Sequence, residues 1–216
     1  VASENGKAEV SSFLAEYKAD AHVRNNIHST TLDLAQHDAH EDGQDEETIS
    51  LHTASSEGNV DVVKRLLDQD ADINSRNAYY DTPLHIAACK GNIEVIRLLI
   101  ERGAEVESRN YVGWTPLLEA SQIGHVEISR MLIDHGANVN ARMYDYWTPI
   151  HFSAYHGYPE LVKLLLERGA DTHSLTVDGQ TAYQLSLRQG HRKVSDLLWE
   201  HGTQGGWLNE VRRNDV

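Results

Sequence analysis

Hydrophobic positions come in short helical blocks rather than in one long stripe. Between Asn77 and Arg109, Leu84, Ile86, Ala87 and Ala88 form a brief apolar run that starts behind Thr82-Pro83 and stops at Gly91. A Thr hydroxyl at a helix entry satisfies free backbone amides, and Pro is tolerated in the first turn, where its missing N–H breaks no bond. Glycine is the residue expected where a helix ends in the left-handed region. A second block, Val95, Ile96, Leu98 and Leu99, gathers on one broad face of a helix predicted over Ile93–Glu101 and stopped by Gly103. Glu105 to Ser108 then predicts a short extended piece leading to a turn. Neither helix reaches the roughly 12–15 residues at which isolated helices become marginally stable, so both apolar faces need neighbours.

The neighbours are in the sequence. Thr82-Pro83-Leu84 returns as Thr115-Pro116-Leu117 and Thr148-Pro149-Ile150 at intervals of 33 residues, and Gly58, Gly91, Gly124, Gly157 and Gly190 keep the same spacing. Such a period predicts a stack of like units, each burying its faces on the units before and after. It moves the functional question from a catalytic cleft to the surface that the stack displays.

These units resemble the ankyrin repeat. The family signature Thr-Pro-Leu-His-x-Ala-Ala stands here as Thr82-Pro83-Leu84-His85-Ile86-Ala87-Ala88. Its Leu-Leu-x-x-Gly-Ala stretch stands as Leu165-Leu166-Glu167-Arg168-Gly169-Ala170, with similar copies at Leu99–Ala104 and Leu132–Ala137. The resemblance implies an all-α solenoid of helix-turn-helix units joined by short β-turn or hairpin loops, stacked right-handedly in about six units. Full units are expected at 44–76, 77–109, 110–142 and 143–175, a C-terminal capping unit at 176–203 and a tail at 204–216. Trp199, Trp207 and Leu208 are expected to close the last hydrophobic layer.

The first residues carry the same pattern less completely. Ala8 to Glu16, followed by Ala19-Asp20, matches Ile93 to Glu101 and Ala104-Glu105 at an offset of 85, so residues 1–24 read as a partial repeat in a piece of a longer protein. Residues 25–43 read as an irregular or truncated repeat, because Leu51 follows Leu32 by only 19 residues and a full second helix does not fit. Either that unit has lost a helix or an insertion is missing from the chain; uncovered apolar flanks favour the second. The acidic run Glu41 to Glu47 offers little to bury and is expected to be mobile.

Charge and chemistry narrow the function. The formal charge is −14, from 33 acidic and 19 basic residues, which repels nucleic-acid backbones and anionic membranes and attracts basic protein segments. The same charge would keep an elongated stack soluble. No apolar run of 18 residues suggests membrane insertion, and the single cysteine, Cys89, fits a reducing compartment, cytoplasmic or nuclear. Thirteen histidines lack a zinc-enzyme spacing, and no Gly-rich phosphate loop or strained nucleophile turn occurs, so no enzyme activity, cofactor or metal is expected. The expected partner is another protein or peptide, with no nucleic acid, and the chain by itself is expected to be monomeric.

The resemblance also implies which positions are displayed: the turn tips and the inner face of each first helix. Here these give a candidate partner-binding set of Arg76, Tyr79 and Asp81; then Arg109, Tyr111, Trp114 and Glu119; then Arg142, Tyr144, Asp145, Trp147 and Tyr155. Tyr and Trp bring large amphipathic area at low entropy cost and concentrate binding energy at interfaces. Alternatively, Trp114 and Trp147 pack together as a ladder beneath the tips. Arg76, Arg109 and Arg142 form a column that could neutralise local acids, stack on the aromatics or meet a partner's carboxylates. Tyr80 and Tyr146 replace the turn glycine kept at Gly113 and Gly179, which implies a conformational cost or a reshaped turn where φ is positive.

The expected function is a non-catalytic recognition module for an extended peptide or partner loop, within a larger regulatory or scaffold protein. A narrower alternative comes from Gly113-Trp114-Thr115-Pro116-Leu117-Leu118-Glu119-Ala120. It resembles a stretch of ankyrin domains that read basic histone tails, although Leu118 replaces their His. A third reading is a structural spacer within a large scaffold or channel.

Overall fold

The computed structural model describes residues 49–204. The expected partial repeat at 1–24, the irregular unit at 25–43, the acidic run at 41–47 and the roles of Trp207 and Leu208 lie outside these residues.

Among the described residues the chain forms ten α-helices in five pairs and no strand. The pairs are α1 (Leu51–Glu57) with α2 (Val60–Asp68), α3 (Pro83–Lys90) with α4 (Ile93–Glu101), and α5 (Pro116–Ile123) with α6 (Val126–Asp134). The last two are α7 (Pro149–His156) with α8 (Pro159–Glu167), and α9 (Ala182–Gln189) with α10 (Arg192–Gln204). First helices pack successively on first helices, and second helices on second helices, so the two layers grow together.

The local chemistry explains the boundaries. Thr82, Thr115 and Thr148 hold extended N-cap conformations, each followed by Pro at the first helical position. At the other end of α5, Gly124 turns the chain with φ of +87° while its N–H bonds Ala120 O, and the ring of Tyr158 lies so close that a Cβ would meet it at 2.9 Å. Both the hand of the backbone and the space require glycine there.

The core repeats with the sequence. Leu84, Leu117 and Ile150 are fully buried in successive first helices, as are Leu99, Leu132 and Leu165 in successive second helices. Ala88, Ser121 and Ala154, all 0% exposed, are the small residues that let first helices approach. One apolar cluster runs from Leu51 to Ala137 and another from Ile150 to Leu198. A third, built from Trp114, Leu118, Ala141, Met143 and Phe152, joins the third pair to the fourth.

One local expectation is corrected. Glu105 to Ser108 is a turn rather than an extended piece: the Ser108 N–H and hydroxyl both donate to Glu105 O, at 3.4 and 2.9 Å. A serine hydroxyl that bonds a carbonyl three residues back offers the backbone an alternative to extension.

Buried histidines fasten one unit to the next. Thr82 N–H donates to His85 Nδ1 at 3.2 Å, so Nε2 carries the proton and donates to Trp114 O at 3.0 Å. His151 repeats the arrangement with Thr148 N–H at 3.2 Å and Ser174 O at 2.9 Å. Burial outweighs the nearby Asp81 carboxylate and holds His85 below the ordinary histidine pKa; burial likewise lowers His151.

Candidate recognition surface

Four tip turns project between the helix pairs, at Asn77–Asp81, Asn110–Trp114, Met143–Trp147 and Thr176–Gln180. In each, the first N–H donates to the fifth carbonyl at 3.0–3.1 Å and the fourth N–H donates to the first carbonyl at 2.9–3.0 Å. Asn77 Oδ1 also accepts from Tyr79 and Asp81 N–H, both at 2.9 Å. Asn110 Oδ1 does the same for Val112 and Trp114, at 3.2 and 3.0 Å. An Asn side chain that mimics the backbone is a standard way to pin a tight turn.

The fourth residue of every turn lies in the left-handed region: Tyr80 at φ +63°, Gly113 at +83°, Tyr146 at +65° and Gly179 at +70°. Tyr80 and Tyr146 thus adopt the glycine conformation without reshaping the turn, at roughly 1–2 kcal/mol each for an L-residue. The same exchange at Gly113 would in addition push a neighbouring ring aside by a few tenths of an ångström. The Tyr144 ring lies over it, and a Cβ would meet that ring at 3.3 Å.

The tips are rich in exposed phenol rings. Tyr79, Tyr80, Tyr111, Tyr144 and Tyr146 are between 43 and 66% exposed, and Tyr155 on α7 is 37% exposed. Backbone bonds tie the turns in pairs, Tyr111 N–H to Tyr79 O and Val177 N–H to Asp145 O, both at 3.0 Å. Between the second and third turns the tie is a side chain: Arg109 Nη1 donates to Gly113 O at 3.0 Å and to Arg142 O at 2.7 Å.

Several candidate residues take part in scaffolding. Trp114 is 2% exposed and packs its ring 4.8 Å from Phe152, which lies 4.8 Å from Trp147 on its other side. The expected display of Trp114 is therefore corrected: its side chain is in the core, and the ladder runs through Phe152 rather than directly between the tryptophans. Trp147 remains half-buried, with its ring edge-on to Tyr155 at 5.5 Å. Asp81 accepts from Asn110 Nδ2 at 2.7 Å, and Arg142 Nη2 donates to Ser174 Oγ at 3.0 Å. Arg76 is exposed, its guanidinium 5.8 Å from the Tyr80 ring centre. Glu119 and Asp145 are half-buried.

The surface thus gathers Tyr79, Tyr111, Tyr144 and Tyr155, keeps Trp147 at its margin and removes Trp114. The candidate set lacked Tyr80 and Tyr146, although their place at a glycine position was a visible signal. The segment from Gly113 to Leu118 is buried throughout, so the stretch resembling histone-tail readers offers no exposed ring. Among the described residues, no group of three or more His, Cys, Asp or Glu side chains could hold a metal ion, and no helix is long and apolar enough to cross a membrane.

Repeating helix pairs, tip turns and buried signature histidines define a repeat-stack protein. The sequence matches the family model described as ankyrin repeats (3 copies) over residues 51–143 and the one described as ankyrin repeats (many copies) over residues 132–186. The chain belongs to the ankyrin-repeat family, whose stacks generally serve as protein–protein interaction modules. A search of curated proteins found no match.

Proposed function

We propose that this chain is a non-catalytic recognition module that holds an extended peptide or a partner-domain loop along its tyrosine-rich turn tips and the adjoining face at Tyr155. The observation that carries this reading is the placement of Tyr80 and Tyr146. Each keeps a large exposed ring in a backbone conformation that costs stability and that glycine would adopt freely. Strain held at an exposed aromatic is understandable where the ring is used. Five tyrosines over three successive tips supply rigid contact area with a hydroxyl at each edge, suited to a surface that must be wet when free and dry when bound. The setting is a larger regulatory or scaffold protein of the cytoplasm or nucleus.

The test is site-resolved photocrosslinking. A photoreactive phenylalanine analogue at Tyr80, Tyr111 or Tyr144 should capture the same protein from an extract, while one at Arg97 on α4 should not. Purified partner should then bind the Tyr111→Ala/Tyr144→Ala variant more weakly by about 2 kcal/mol or more. Capture from Arg97 alone, or unchanged affinity in the double variant, would refute the assignment.

A further inference from the structure

The second tip turn has no backbone donor to offer a partner. Asn110 N–H donates to Trp114 O, Tyr111 N–H to Tyr79 O and Gly113 N–H to Asn110 O, all at 3.0 Å. The N–H groups of Val112 and Trp114 both donate to Asn110 Oδ1, at 3.2 and 3.0 Å. A peptide added as a strand needs a row of free main-chain groups along an edge, and this turn interrupts the row. An amphipathic helix needs a continuous apolar groove, whereas the rings here stand on separate turns.

Tyrosine side chains are left to do the recognising. Tyr79 and Tyr80, then Tyr111, then Tyr144 and Tyr146 place exposed rings on three successive tips. The hydrogen bonds that hold the first and third turns use none of the hydroxyls of Tyr79, Tyr80, Tyr144 or Tyr146. Packed helices lie about 8–10 Å apart, and first helices pack on first helices, so the tips recur at that interval. A polyproline II helix makes one turn in three residues and about 9 Å. Every third residue of such a segment therefore meets the next tip. Its carbonyls make no bonds within the segment and can accept from tyrosine hydroxyls, and its fixed proline dihedrals leave little entropy to lose.

Charge agrees. Across residues 76–81, 109–114, 142–147 and 175–180, Arg76, Arg109 and Arg142 balance Asp81, Asp145 and Asp178, in a chain whose formal charge is −14. A ridge of balanced charge suits an uncharged, apolar line of prolines, while the acidic remainder of the chain favours Lys or Arg between them.

Building on the tips as the binding surface, we propose that the segment they hold is proline-rich and in the polyproline II conformation. Prolines at every third position stack on the rings of the first, second and third tips in turn, and the segment's carbonyls accept from the tyrosine hydroxyls. Three tips engage about seven residues, the span of Pro-x-x-Pro-x-x-Pro.

Nuclear magnetic resonance titration of the whole chain with two peptides of equal charge tests this, one of four Pro-Ala-Lys triplets and one of four Gly-Ala-Lys triplets. The proline peptide should bind at least about tenfold more tightly, and should shift the amides of 77–81, 110–114 and 143–147 but not that of Arg97 on α4. Tyr80→Phe/Tyr144→Phe keeps the rings and should weaken that binding about twofold to tenfold. Absent or equal binding of the two peptides, shifts elsewhere on the stack, or parental affinity in the Phe variant overturns the proposal. The choice of ligand and the choice of surface fail differently. A partner crosslinked at Tyr111 through a segment lacking prolines at every third position overturns the proline assignment and leaves the tips as the site, whereas capture only away from the tips removes the site itself.

Discussion

Replacing Trp114 with alanine separates scaffold from display most sharply. The ring is 2% exposed, lies 4.8 Å from Phe152 and packs with Leu118, Ala141 and Met143 between the third and fourth helix pairs. Truncating a buried Trp to Ala typically costs about 3–5 kcal/mol in lost transfer energy and residual cavity. Within that, the ring–ring contact contributes about 0.5–1.5 kcal/mol. The cluster joins one apolar core that ends at Ala137 to another that begins at Ile150, so the loss also weakens their coupling. Urea unfolding of Trp114→Ala, followed by far-ultraviolet circular dichroism and by the remaining tryptophans, should show a lower midpoint and transitions that no longer coincide. Tyr144→Ala, by contrast, removes a ring that is 66% exposed and should stay within about 0.5 kcal/mol of the parent. An unchanged midpoint in Trp114→Ala, or an equal loss in both variants, would refute the burial argument.

Tyr146→Gly should remove roughly 1–2 kcal/mol of backbone strain while giving back about 0.4–1 kcal/mol of unfolded-chain freedom, so thermal stability should hold or rise as partner affinity falls; a clear drop in the thermal midpoint would show that the ring supports the fold. Leu132→Ala, at a site with 0% exposure, should cost about 2–5 kcal/mol by chemical denaturation, and a parental midpoint would mean the wrong face of α6 is buried. Acidification should destabilise the stack, because His85 and His151 are held below the ordinary value of 6.5 and the unfolded chain takes up protons that they refuse. Their stabilising effect is complete above about pH 6.5 and declines as pH falls through it, at up to about 1.4 kcal/mol per pH unit for each histidine; a thermal midpoint that rises between pH 7 and 5 would contradict this. Arg109→Ala should weaken partner binding by a similar factor at low and high salt, since Arg109 ties Gly113 O and Arg142 O together rather than waiting for a charge; a defect that vanishes in high salt would point to direct ion pairing instead.

The fold was legible because each of its rules recurs. A Thr-Pro entry, a glycine exit and a leucine at fixed register each constrain one unit weakly, but repetition at 33 residues makes them agree. The helices α3 through α8 follow those marks closely, and the buried leucines fall on the predicted faces. What periodicity conveyed poorly was irregular backbone. Glu105 to Ser108 has no apolar pattern to read, and its turn depends on one serine hydroxyl reaching Glu105 O.

The surface was harder to read, because register tells where a residue sits along the unit and not what stands opposite it. Trp114 and Trp147 both precede an N-cap threonine, a place taken by Asp81 and Gln180 in the flanking units, so the position itself accepts polar side chains. The deciding residue is Phe152. It occupies the register of Glu119 in the preceding unit and is the fourth helical residue after Thr148. An apolar residue just before an N-cap commonly packs on the fourth residue of the helix, and the Trp147 and Phe152 rings do so at 4.8 Å. Trp114 has Glu119 at that place in its own helix and instead reaches Phe152 of the next one. Phe152 thus joins Leu118, Ala141 and Met143 in burying Trp114, partly buries Trp147 and leaves the tyrosines as the displayed rings. Exchanging Phe152 for a small residue should release both tryptophans together, which makes burial of Trp114 a property of the junction between units and not of its own repeat.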